Sequence, residues 1–310
     1  HRLGQAVRCL STLVHGVALL CGFDTPSLPA QGGQRRQESF NRDRDIPSPA
    51  PESGNVLLVP LAGHEIGHSA WRRHQVERSL VVDLLGAVHD AIEANTARRD
   101  DLLQNAFGRT VRVDYLQQKL LGLALRHVEE IFCDLVGFYI FGEAYLWAFE
   151  YFLAPGNGDR NLNYPADHAR TRYLQLAAKE PRVKVDPIVF DSWRNATYPP
   201  GHLGDFLRIV DEAVETAVPD LWLKTRNLLG KLGVRTADAR VVKRAFDNFS
   251  KGVPDGVGAS LSEVIEAGWK YARAKRELLD VDDPNFEGLN ELMLKSIEVS
   301  EYLLKVQTEC

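Results

Sequence analysis

The chain has 310 residues, 45% hydrophobic and 25% charged, with a formal net charge of −5. That length can bury one large core or two modest ones, the composition is that of a soluble globular protein, and the acidic balance leaves no basic footprint for general nucleic-acid binding. Cys9, Cys21, Cys133 and Cys310 are scattered without a C-x-x-C pair, which argues against a cysteine zinc site or a disulfide framework and makes a reducing, cytoplasmic setting the expectation.

At the N-terminus, Leu3, Val7, Leu10, Val14, Val17 and Leu20 fall at helical spacing and predict an amphipathic helix closed by Gly22. Arg2 and Arg8 ahead of an apolar run resemble a signal sequence only faintly, because His15 interrupts the run and no A-x-A site follows. Residues 24–54 are rich in Pro, Gln, Arg, Ser and Gly, and read as a flexible arm. Arg35, Arg36, Arg42 and Arg44 are interleaved there with Glu38, Asp43 and Asp45, as on a solvated loop.

The stretch around which the chain is organised comes next. Val56, Leu57, Leu58 and Val59 are apolar and expected to be extended, and Pro60 suits a first helical position. His64-Glu65-Ile66-Gly67-His68 then reads H-E-x-x-H. Two histidines four apart share one helical face and can hold one metal ion, with the glutamate between them as general base toward a metal-activated water.

Residues 76–107 read as helix with a polar break at 98–101, and 113–154 as one long or two shorter helices. The second half of that pattern approaches a membrane span in length, but Glu143 and Glu150 fall inside it, so a buried core helix is expected and no stable span. A Gly/Asn/Pro loop at 155–165 precedes a helix at 167–179, and 181–202 is irregular with a short strand expected at 183–190. Helices are predicted at 203–217, 220–231, 237–249, 261–279 and 285–306. Pro219 and Pro284 suit first turns, and Ser260 with Glu263 forms a capping box. The expected fold is mainly α with at most a small strand element. Residues 1–54 form a helix and arm, 55–180 a catalytic core, and 181–310 a C-terminal helical region.

A catalytic zinc normally has three protein ligands and an open position. His74 stands ten residues after His64, but Trp71 occupies the place where a glycine would turn the chain back, so His74 reads as a helix-surface residue. Glu130 and Asp134 are four apart on an otherwise apolar helix. The glutamate can bind the metal, and the aspartate can accept the outer N–H of a ligating histidine. Glu129 points about 100° away and is the weaker ligand candidate. A di-metal carboxylate bundle would need a second E-x-x-H element, which the chain lacks.

H-E-x-x-H followed after about sixty residues by E-x-x-x-D resembles the gluzincin zinc metallopeptidases, and is most similar to the HtpX and CAAX-prenyl-protease pattern. Tyr164-Pro165-Ala166-Asp167-His168-Ala169-Arg170 stands where that branch carries H-P-x-x-x-x-R. The resemblance covers about 64–175 and implies a helical zincin-like core. It implies His64, His68 and Glu130 as Zn2+ ligands, Glu65 as general base, Asp134 as orienter and Arg170 as a site-supporting residue. Tyr164 replaces the family histidine, Cys133 a usual alanine, and the family's membrane spans are absent. Tyr164, His168 and His127 are candidate oxyanion donors, with Arg170 a less direct one. The expected function is hydrolysis of a peptide or protein substrate. The alternative is a zinc-stabilised helical binding or regulatory protein with a closed site. A regulatory protein partner is a further expectation, with the 24–54 arm as its point of action.

Overall fold

The computed structural model describes residues 55–105, 110–154, 156, 160, 162–179, 190–191, 193–275 and 284–309. The helix and arm expected within 1–54 lie outside them, as does the strand expected at 183–190 except for Phe190, which sits in a helical turn. Among the described residues the regular elements are ten α-helices and one 3-10 helix, and no helix is long and apolar enough to cross a membrane.

The 3-10 helix, Val56–Leu61, runs directly into α1, Ala62–Arg73. An extended approach was the expectation here. The Asn55 side chain instead accepts from the Leu57 N–H at 3.0 Å, and Val56, Leu57, Val59 and Pro60 are all buried. A lone extended segment in that position would leave its backbone groups without a sheet partner. The helical form pairs them internally, while Val56 N donates to Asn290 Oδ1 at 2.9 Å and Trp269 Nε1 donates to Leu57 O at 2.8 Å.

Gln75, in the left-handed conformation at φ 51°, turns the chain from α1 into α2, Val76–Ala94. The break expected at 98–101 falls earlier, at Asn95, whose side chain donates to Ala91 O at 2.8 Å. Residues 98–101 belong to α3, Thr96–Asn105. The long pattern at 113–154 resolves into α4, Val113–Phe141, and α5, Glu143–Leu153. Gly142 between them has φ 56°, a conformation that ends the helix and that glycine adopts cheaply.

The remaining helices are α6, Asp167–Ala178; α7, His202–Lys231; α8, Ala239–Phe249; α9, Leu261–Ala274; and α10, Pro284–Glu309. The capping box of Ser260 and Glu263 is present at the start of α9. The two helices expected at 203–217 and 220–231 are one continuous α7 with Pro219 inside it. A proline there removes one backbone hydrogen bond. The uninterrupted stripe of Leu207, Val210, Val214, Val218, Leu221 and Leu229 is buried and holds the helix through the defect. At roughly 1.5–3 kcal/mol per fully buried aliphatic side chain, that stripe outweighs a proline penalty of about 3 kcal/mol.

α4 is the centre of the molecule. α1 packs along it most extensively, α7 and α2 cover further faces, and α9 and α10 pack over the 3-10 helix. α1 and α4 run antiparallel and very close. A Cβ added to Gly63 would stand 2.7 Å from the Gly137 Cα, and one added to Gly67 would stand 2.5 Å from the Cys133 Cα. Both positions therefore require glycine, and the closeness they permit positions the site.

Candidate metal centre

His64 and His68 occupy one face of α1, one turn apart, with ring centroids 5.0 Å from each other. The opposing face of α4 presents Glu129, Glu130, Cys133 and Asp134. Each imidazole uses its two nitrogens differently. His64 Nδ1 lies 2.9 Å from Asp134 Oδ1, and His68 Nδ1 lies 2.9 Å from Glu129 Oε1. The other nitrogens turn to a single carboxylate: His64 Nε2 is 3.2 Å from Glu130 Oε2, and His68 Nε2 is 3.8 Å from Glu130 Oε1. A carboxylate on Nδ1 fixes that nitrogen as the N–H donor and orients the ring, leaving Nε2 as the lone-pair donor. Two Nε2 atoms that each face an oxygen of the same carboxylate form a donor set suited to a divalent cation that takes nitrogen and oxygen ligands.

Asp134 is the hub beneath this donor set. It is 1% exposed, and its Oδ1 also accepts from Tyr145 Oη at 2.7 Å and from an Arg170 terminal nitrogen at 2.8 Å, while Oδ2 accepts from Arg170 Nε at 2.7 Å. Burial alone would raise its pKa, but the Arg170 guanidinium and the His64 hydrogen bond hold it well below the usual carboxylate range. Burial likewise disfavours a charged His64, and the hydrogen bonds to Asp134 and Glu130 override it, lifting that imidazole to about 9. Glu130 is pushed up by burial and brought below its ordinary value by His64 and Arg170. The pocket thus favours positive charge between the imidazoles and Glu130. Arg170 is itself buried and rests on the Phe149 ring, with its guanidinium carbon 4.9 Å from the ring centroid.

Cys133 is the other side chain within reach. Its Sγ and one ring nitrogen from each histidine lie within 4.8 Å of one another. Its thiol is pushed well above the ordinary cysteine range, first by burial and then by Glu130 and Asp134. Glu130 faces the two Nε2 atoms with its two oxygens, at 3.2 and 3.8 Å, but it is not in the group of donor atoms that all lie within 4.8 Å of one another, which among the described residues is His64, His68 and Cys133.

Glu65 lies on α1 between the histidines, half-buried, and its carboxylate has no hydrogen-bond partner among the described residues. A cleft of about 500 Å³ opens beside Glu129 and Glu130, and Tyr164 and Asn163 line it. Glu65 is not part of that lining. His168 is not brought to the cleft: its Nδ1 accepts from the Ala196 N–H at 3.2 Å. His127 is fully buried, with Nε2 3.1 Å from Leu162 O and Nδ1 3.2 Å from an Arg160 nitrogen, so it holds the loop that carries Tyr164. His74 is the C-cap residue of α1 and stands outside the converging group.

One contributor has no sequence signal as a site residue, and another has a different role from the one the sequence suggests. Tyr145 carried no signal beyond its place in an apolar run. Glu129, the weaker ligand candidate in the sequence because it points about 100° from Glu130, reaches the outer nitrogen of His68 by that same divergence. No protein-family model, curated protein or solved structure matches the chain.

Proposed function

We propose that the protein is a zinc-dependent metallopeptidase in which His64, His68 and Glu130 hold the metal. The observation that carries this reading is the convergence of both Nε2 atoms on Glu130 while carboxylates hold both Nδ1 atoms. Zinc bound by such a set supplies Lewis acidity toward a carbonyl and toward water. Glu65 acts as general base, taking a proton from the attacking water and returning it to the leaving amine. Asp134 and Glu129 keep the imidazoles in one tautomer and orientation, and Arg170 and Tyr145 keep Asp134 ionised and in place. Tyr164, exposed on the cleft wall, is the candidate donor to the developing oxyanion.

The test is metal content by elemental analysis, followed by hydrolysis of a peptide pool. Wild type should hold one zinc per chain, Glu130→Ala should lose it, and Glu65→Gln should keep it while cleaving nothing. Zinc retained by Glu130→Ala, or full activity in Glu65→Gln, overturns this assignment.

The position of Cys133 favours one second reading, a closed site in a helical binding or regulatory protein. There Cys133 fills the fourth position together with His64, His68 and Glu130. The two readings separate with Cys133→Ala. An open three-ligand site keeps its zinc, whereas a closed four-ligand site loses affinity, and cobalt substitution of the wild type would show a thiolate charge-transfer band.

A further inference from the structure

Three arginines, Arg72, Arg78 and Arg126, and three glutamates line the cleft beside Glu130. Their guanidinium groups make no hydrogen bond or ion pair with another described residue. Elsewhere Arg98, Arg99, Arg112, Arg172, Arg240 and Arg244 each pair with a carboxylate, and Arg208 and Arg273 stack on the Tyr198 and Trp147 rings. Of the acidic residues in the lining, Glu129 and Glu130 are turned to the imidazoles, and none of the three glutamates pairs with an arginine of the cleft.

The placement of these arginines is regular. Arg72 follows His68 by four residues on α1, and Arg126 precedes Glu130 by four on α4. Because the two helices are antiparallel, both arginines stand one turn, about 5–6 Å, beyond the converging donors and on the same side of them. Gln75 turns the chain so that Arg78, in the first turn of α2, joins the same wall. Consecutive Cα atoms of a peptide are about 3.8 Å apart. A chain whose scissile carbonyl sits at the donors therefore brings its next one or two residues to the arginines.

Resting on the metallopeptidase reading, we infer that this cleft binds a carboxylate of the substrate one or two residues past the scissile bond, with Arg72 and Arg126 as its principal partners and Arg78 in support. Planar guanidinium groups match a carboxylate through paired hydrogen bonds. The carboxylate has two sources. A free C-terminus makes the protein a carboxypeptidase, and an Asp or Glu side chain makes it an endopeptidase selective for acidic sequences.

The test is isothermal titration of the full chain carrying Glu65→Gln, so that binding is read without cleavage. Three acetylated hexapeptides are compared: one with a free C-terminus and no acidic side chain, its C-terminal amide, and that amide with one Glu. The expected result is that one of the two carboxylate peptides binds about tenfold or more tightly than the neutral amide, an effect typical of a charge-assisted contact. Arg72→Gln together with Arg126→Gln should bring the three to parity. The free C-terminus binding best selects the exopeptidase, and the Glu peptide binding best selects the acidic endopeptidase. Equal affinities, or no binding by any of the three, overturn the inference. A carboxylate preference without zinc or cleavage in the wild type would remove the metallopeptidase reading and leave the anion site. Zinc-dependent cleavage indifferent to peptide charge would do the reverse.

Discussion

Asp134 shows what a single buried residue does here. One carboxylate answers a histidine, a tyrosine and an arginine, and of these Tyr145 and Arg170 are buried with it. Asp134→Asn removes the charge from beneath a buried guanidinium and sets an N–H₂ against other donors. Breaking a buried pair from one side costs about 3–5 kcal/mol, so the urea midpoint of Asp134→Asn should fall by that equivalent with little change in slope. The E-x-x-x-D spacing makes this aspartate legible in the sequence, because four residues in a helix return to the same face. Tyr145 was not legible. It reaches Asp134 only because α5 folds back at Gly142 and because Gly137 leaves room, an added Cβ there falling 2.3 Å from the Tyr145 ring. A turn of that kind leaves no periodic trace.

At the scale of elements, the antiparallel pair α1 and α4 sets the distance between imidazoles and carboxylates. Gly67→Ala would drive a methyl group into the Cys133 backbone, and relief requires the helices to part. Overpacking of this sort costs about 1–3 kcal/mol. The expected outcome is a lower melting temperature and, under the proposed metallopeptidase function, weakened zinc retention, whereas Gly86→Ala on α2, where an added Cβ meets nothing, should change neither. α7 offers the opposite experiment. Pro219 is exposed in the middle of a helix that survives on its buried stripe. Pro219→Ala restores an N–H and removes a ring clash, and should stabilise the protein by up to about 3 kcal/mol, read as a higher urea midpoint. A proline within a helical pattern is a reasonable place to end a helix from local rules alone. The packing that overrides the rule is tertiary, and for the same reason the sequence before α1 suggests an extended approach: its partners Trp269 and Asn290 lie more than two hundred residues away.

At the scale of the whole molecule, one buried polar network ties α4, the loop at 160–166 and α7 together. Arg160 donates to Asp211 at 2.6 and 3.0 Å, Tyr198 donates to Asp211 at 2.8 Å, and Arg160 also bonds the Tyr164 carbonyl. His127 lies in this network with its pKa lowered from 6.5 to about 4, chiefly by burial and then by Arg160, against the opposing pull of Leu162 O and Asp211. The folded state therefore binds fewer protons than the unfolded chain between pH 4 and 6.5. Stability from this group is complete above about 6.5 and is lost as the pH falls toward 4, on the order of 3 kcal/mol in all. Urea midpoints taken at pH 7 and pH 5 should show the decline, and His127→Gln should flatten it. The helical class and most helix positions were legible because amphipathic periodicity is a local property. The cleft was not, because its walls come from α1, α2, α4 and the loop at 160–166, and their meeting depends on how the helices cross.

The two glycines that let α1 lie on α4 also bear on descent. In H-E-x-x-H the fourth letter is nominally free, yet in this chain it is Gly67, where an added Cβ would meet the Cys133 Cα at 2.5 Å, a backbone atom that no second substitution could trim, as well as the Cys133 Cβ and Sγ. No exchange at Cys133 can compensate for a larger residue there. Across sequences diverging from this one, a glycine retained at that letter would mark lineages in which the imidazoles still meet Glu130, and its loss would mark those in which the two histidines have become ordinary helix residues.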